Sequence, residues 1–120
     1  MQKVIICNDA PFMQSILKDS IDSEHFHVVA EVSMPQDLLN VSYKEQPDIV
    51  LLDLMLHGKD SLELLGELKH IVPNVYVIMC APMGKRALIM SAIQAGASDF
   101  IIKPYEEERV RFVMSKAIQN

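Results

Sequence analysis

DIVLLD, residues 48–53, decides the fold of this chain. Its four central residues, Ile49 to Leu52, are all apolar, and Pro47 stands just before the stretch. A short apolar run without alternation reads as a strand covered on both faces, the habit of a parallel sheet packed between helices. An acid at the end of such a strand carries a desolvation cost unless it has partners. Asp53 therefore reads as a residue kept for its chemistry.

Outward from this strand the same unit recurs. KVIIC (3–7), HVVAEV (27–32), VYVIMC (75–80) and DFII (99–102) are further apolar, β-branched runs. Helical patterns follow all five runs: PFMQSILKDSI (11–21), PQDLLNVSYK (35–44), SLELLGELKHI (61–71), GKRALIMSAIQA (84–95) and EEERVRFVMSKAI (106–118). Apolar residues in them fall at i, i+3, i+4 and i+7 spacing, as at Leu62, Leu65, Leu68 and Val72, or Val110, Val113, Met114 and Ala117. Met79, Met90 and Met114 fall at core-like positions. Five β-then-α units predict an α/β fold, a doubly wound parallel sheet with helices on both faces. The punctuation agrees: Pro47 and Pro73 precede strands, Pro35 suits a helix's first turn, and Gly96 ends the fourth helix. No linker or repeat interrupts residues 1–120, which read as one domain long enough to bury a core.

Composition narrows the function classes. A net charge of −5 argues against nonspecific binding to nucleic acid or an anionic membrane, since either needs a basic patch. No apolar run approaches the roughly 20 residues that span a bilayer, and the N-terminus lacks a signal-peptide pattern, so a cytoplasmic location is expected. Cys7 and Cys80, each inside a strand, form no disulfide framework or zinc set and are expected to be buried and reduced. His25 and His27 are too weakly spaced for a metal site.

In an open parallel sheet, ligands bind outside the carboxyl ends of the strands. Asp9 follows the first strand, Asp53 ends the third and Lys103 follows the fifth, so the three should converge. A carboxylate that attacks a phosphoryl group needs its charge masked, which Mg²⁺ does when a second acid helps to hold it. Asp9 and Asp53 supply the acids, the backbone carbonyl of Met55 a third ligand, and Asn8 a contact through water. Lys103 offers an ammonium to the transferred group. No separate general base is evident, so the chain reads as a phosphoryl acceptor rather than an enzyme, at most modifying and unmodifying itself.

VIICNDAPFMQSILKD (4–19), PDIVLLDLML (47–56) and APMGKRALIMSAIQAGASDFIIKPY (81–105) together resemble the receiver domain of bacterial two-component response regulators. Similarity is strongest to stand-alone chemotaxis receivers of the CheY type, and it covers essentially the whole chain. The resemblance implies a flavodoxin-like sheet of order 2-1-3-4-5 with five helices. It implies a histidine kinase as phosphodonor, Asp53 as phosphoacceptor, Asp9 as direct Mg²⁺ ligand and Lys103 as phosphate contact. It also implies output by docking a downstream protein on the face of helix 4, strand 5 and helix 5.

Three positions depart from the family. Asn8 replaces a second acid, which should weaken Mg²⁺ binding. Ala81 stands where the family has Ser or Thr, whose hydroxyl normally bonds the phosphoryl group. A hydrogen bond to a charged group is worth about 1.5–3 kcal/mol, so coupling between phosphorylation and the active conformation should fall roughly tenfold or more. His57 replaces a proline and reads as a looser loop. Phe100 occupies the position of an aromatic that swings inward when the hydroxyl moves, and beside Ala81 it has room to rest inward without phosphorylation. An alternative is therefore a degenerate receiver that binds partners independently of phosphate. A flavodoxin-like nucleotide or flavin binder is disfavoured, because CNDAPF (7–12) has no glycine to admit a phosphate near the backbone.

Overall fold

A computed structural model describes residues 1–118 as five strands alternating with five helices. In chain order these are β1 (Gln2–Cys7), α1 (Pro11–Asp19), β2 (Phe26–Val32), α2 (Pro35–Glu45), β3 (Ile49–Asp53), α3 (Ser61–Ile71), β4 (Tyr76–Ala81), α4 (Arg86–Gln94), β5 (Asp99–Ile102) and α5 (Glu107–Ile118). All strand pairs are parallel, in the order β2-β1-β3-β4-β5. The predicted order and element count are met.

Strand alternation divides the core into two layers. Cys7, Leu52, Met79 and Ala81 face α2, α3 and α4, where they meet Leu38, Leu64, Leu65, Leu68, Ile89 and Ala92. Ile6, Leu51, Ile78, Cys80 and Ile101 face α1 and α5, against Leu17, Val110, Val113 and Met114. Every residue of β3 is buried on one side or the other, which is why its sequence shows no alternation. Between β1 and β2 the register slips by one: Val4 pairs Val28 but Ile5 pairs Ala30, leaving Val29 as a bulge.

Helix boundaries follow local chemistry. Pro11 and Pro35 sit at the first positions of α1 and α2, where a missing N–H costs nothing. Asp60 caps α3, its Oδ1 accepting the Leu62 N–H at 2.8 Å and the Glu63 N–H at 3.2 Å. Gly96, just beyond α4, has φ +115°, a conformation for which glycine is suited. α4 begins two residues later than the sequence pattern implies, since Gly84 has φ +86° and Lys85 is not helical. Met79 and Met114 are buried as expected, but Met90 is 48% exposed on the outer face of α4.

Candidate functional site

β3 delivers Asp53 to the carboxyl edge of the sheet, where it is 2% exposed. Its Oδ1 accepts the Met55 N–H at 2.9 Å, and its Oδ2 lies 3.4 Å from Lys103 Nζ. That separation exceeds a strong charge-assisted hydrogen bond, so the ammonium acts mainly as a neighbouring charge. Lys103 is anchored through its backbone, whose N–H donates to the Ala81 carbonyl at 2.8 Å. The Lys103–Pro104 peptide is cis. Lys103 thus meets Asp53 from a strand two places away in the sheet.

Asn8 and Asp9 follow directly on the last residue of β1, Cys7. Asn8 is 1% exposed, its Oδ1 accepting the Ala10 N–H at 2.7 Å and its backbone carbonyl accepting Gln14 Nε2 at 2.6 Å. Its Nδ2 has no hydrogen-bond partner among the described residues. Among the ion pairs of the described residues, Asp9 joins His57 and Lys103 joins Asp53, so Asp9 and Lys103 are not paired with each other. Asp9 Oδ2 is held by His57 Nδ1, and that bond, more than any other cause, lowers the carboxyl below its ordinary value. From the sequence, His57 reads as a looser loop. Leu54 and Leu56 instead bury their side chains and pin that loop, the Leu54 N–H donating to Cys80 at 2.8 Å and its carbonyl accepting the Ser61 hydroxyl. Met55 and His57, alternating with the leucines, are exposed.

Tyr105, which the sequence reading overlooked, lies beside the site from the loop before α5. Burial raises its hydroxyl, and Cys80 and Asp53 raise it further. Cys80 is the register partner of Asp53, and burial pushes its thiol up to about 12. No sequence signal marks Tyr105 except its place two residues after Lys103.

The donor set suits a hard divalent cation: two carboxylates and, at Met55, a peptide carbonyl. Asn8 Oδ1 has a lone pair left with which to reach a metal-bound water. The ligand atoms of Asp9, Asp53 and His57 are not all gathered within 4.8 Å of one another. Among the described residues only Asp22, Glu24 and His25 gather that closely, exposed at the opposite end of the sheet, before β2. Exposed groupings of that kind are common on acidic proteins and carry no functional argument.

Ala81 is fully buried in the α2–α4 layer, and Phe100 is half-buried against the same layer. Phe100 also lines an apolar groove of about 540 Å³ with Met83, Ile89, Met90 and Ile102, edged by Lys85 and Arg86. No helix of the described residues is long and apolar enough to cross a membrane.

A family model described as the response regulator receiver domain matches residues 4–114. The chain is 37% identical to the chemotaxis protein CheY of Listeria monocytogenes over 117 residues, 98% of each chain. It is 36% identical to that of Thermotoga maritima over 116 residues, 96% of each. Among solved structures it resembles the REC domain of AraT, a response regulator from Geobacillus stearothermophilus, with TM-score 0.91 and 25% identity, covering 98% of this chain and 93% of that one. The receiver domain of NtrX from Brucella abortus superposes with TM-score 0.87 and 28% identity, covering 98% of both.

Proposed function

This chain belongs to the response regulator receiver family, and we propose on that footing that it takes a phosphoryl group from a histidine kinase onto Asp53. The observation that carries this is the buried Asp53 carboxylate at the end of β3 with the Lys103 ammonium 3.4 Å away. In the transfer an Asp53 oxygen forms a bond to phosphorus while the bond from phosphorus to the donor nitrogen breaks. The product is an acyl phosphate. Lys103 is placed to give up its contact with the carboxylate for a phosphoryl oxygen, and the Met55 N–H orients the carboxylate from its other side.

Mg²⁺ would be held by Asp9, Asp53 and the Met55 carbonyl, with Asn8 reaching it through water, and would mask negative charge between the two anionic reactants. Asn8 carries no charge, so the pocket has one anion fewer than a family member with two acids just after β1. The output surface is the α4–β5–α5 face. There an apolar groove with Lys85 and Arg86 at its edge, on a chain of net charge −5, favours a partner that presents apolar and acidic side chains. The likeness to chemotaxis proteins supports a chemotaxis signalling role in the cytoplasm.

One observation favours a second reading, in which partners bind regardless of phosphate. Ala81 has no hydroxyl to draw toward a phosphoryl group, and Phe100 already packs partly inward. Intact mass spectrometry after incubation with Mg²⁺ and a small phosphodonor tests the first reading. The expected gain is one phosphoryl group, lost in Asp53→Asn and without Mg²⁺. No gain at donor levels that modify an ordinary receiver supports the second. Gain without any change in the environment of Phe100, restored by Ala81→Thr, shows a receiver that is modified but poorly coupled.

A further inference from the structure

One buried donor beside Asp53 is left without an acceptor. Ile6 pairs with Leu51 and Cys7 with Leu52, so Asn8 comes level with Asp53 on the adjoining strand's end. Ile6 and Leu51 face α1 and α5, and alternation brings Asn8 and Asp53, two positions on, to that same side of the sheet. Asn8 is 1% exposed, and its Oδ1 accepts the Ala10 N–H at 2.7 Å. That bond fixes which end of the amide is nitrogen, since a flipped group would set two donors against each other. Nδ2 is thereby shut off from solvent with no partner among the described residues, and the neighbouring Tyr105 hydroxyl, equally unpartnered, does not engage it.

A buried donor is costly to leave unmatched, so its presence points to an acceptor that arrives later. The other flank of Asp53 supplies no such donor: the Cys80 thiol turns to the Ile78 carbonyl at 4.0 Å, and Ala81 ends in a methyl group. We infer that Asn8 Nδ2 donates a hydrogen bond to an oxygen of the phosphoryl group carried by Asp53. The inference rests on the reading of Asp53 as the phosphoacceptor. Transfer sets anionic oxygens beside this atom, which the Asn8 amide meets from the end of β1 and the Lys103 ammonium from the end of β5. The two ends of one amide then serve different partners, Oδ1 the turn at Ala10 and a water on the cation, Nδ2 the phosphoryl oxygen. An amide in place of an acid at this position costs the cation a charge and gives the anion a donor.

Beryllium fluoride, which binds a carboxylate as a mimic of the phosphoryl group, is titrated into the full chain at saturating Mg²⁺, so that the contact of Asn8 to the cation does not enter. Its affinity should fall about tenfold or more in Asn8→Ala, as for a lost hydrogen bond to a charged group. In the ¹⁵N-labelled unaltered chain, the Asn8 side-chain amide protons, identified by their absence in Asn8→Asp, should shift downfield when the mimic binds. This second readout holds whether or not Asn8→Ala folds. Affinity reduced less than about twofold in Asn8→Ala, or amide protons unmoved by the mimic, overturns the inference and leaves Asp53 as the acceptor. Amide protons that are downfield before loading and return in Tyr105→Phe assign Nδ2 to the Tyr105 hydroxyl and also overturn it. Failure of the unaltered chain to take either the mimic or a phosphoryl group removes the reading of Asp53 and the inference together.

Discussion

Cys80 and Cys7 lie close to the charges of the site yet are shut away from solvent. Cys80 is 1% exposed and Cys7 fully buried. Both thiols are pushed up to about 12, in each case by burial first, with the Asp53 charge adding to it. A thiol held neutral in the folded state stabilises it fully below the unfolded thiol's value near 9, and that contribution is lost as pH rises from there through about 12. Urea midpoints should therefore hold steady up to pH 9 and fall above it. Native protein at pH 8 should resist iodoacetamide at both cysteines, reacting only once unfolded, as peptide mapping can show. Asp53, Asp9 and Lys103 were legible in the sequence because each stands where an apolar run stops. The Asp9–His57 contact was not, since the two residues are 48 apart and no periodicity links a strand end to a loop. Nor does any pattern tell which side-chain atoms of Asn8 are already engaged.

At the level of elements, α3 depends on a loop residue that the apolar spacing does not include. Asp60 satisfies two N–H groups of the first turn that have no partner within the helix. Asp60→Ala should lower the unfolding free energy by about 1 kcal/mol, visible as a lower urea midpoint with unchanged slope. Asp60→Asn should recover most of the loss. The repeating strands and helices could be read from the sequence because each buries a regular stripe. Their starts were harder to place, for they turn on local backbone geometry: Gly84 delays α4, and α5 opens at Glu107 after a cis peptide and two irregular residues. Met90 shows the limit of periodicity alone. It shares a helix with buried Ile89, yet it faces the groove beside Phe100.

For the whole molecule, β3 is the plane through which the two helical layers cooperate. Leu51 packs toward α1 and α5 and Leu52 toward α2, α3 and α4, and both are fully buried. Truncating either to alanine should cost about 2–5 kcal/mol. Because one sheet serves both layers, each variant should still unfold in one transition, with helical circular dichroism and tyrosine fluorescence lost together. Separate transitions would show that the layers fold independently. The two-layer plan was visible in the unbroken apolar run of β3, whereas the slip beside Val29 was not, since HVVAEV reads as an ordinary strand. That slip matters at the molecule's margins. An open sheet has two unpaired borders, each a template on which another chain can add a strand. One border here is β2, kinked where Val29 has no counterpart, and the other is β5, four residues long. Neither offers a long straight ladder, so copies of this chain find little purchase for growing sheet upon sheet.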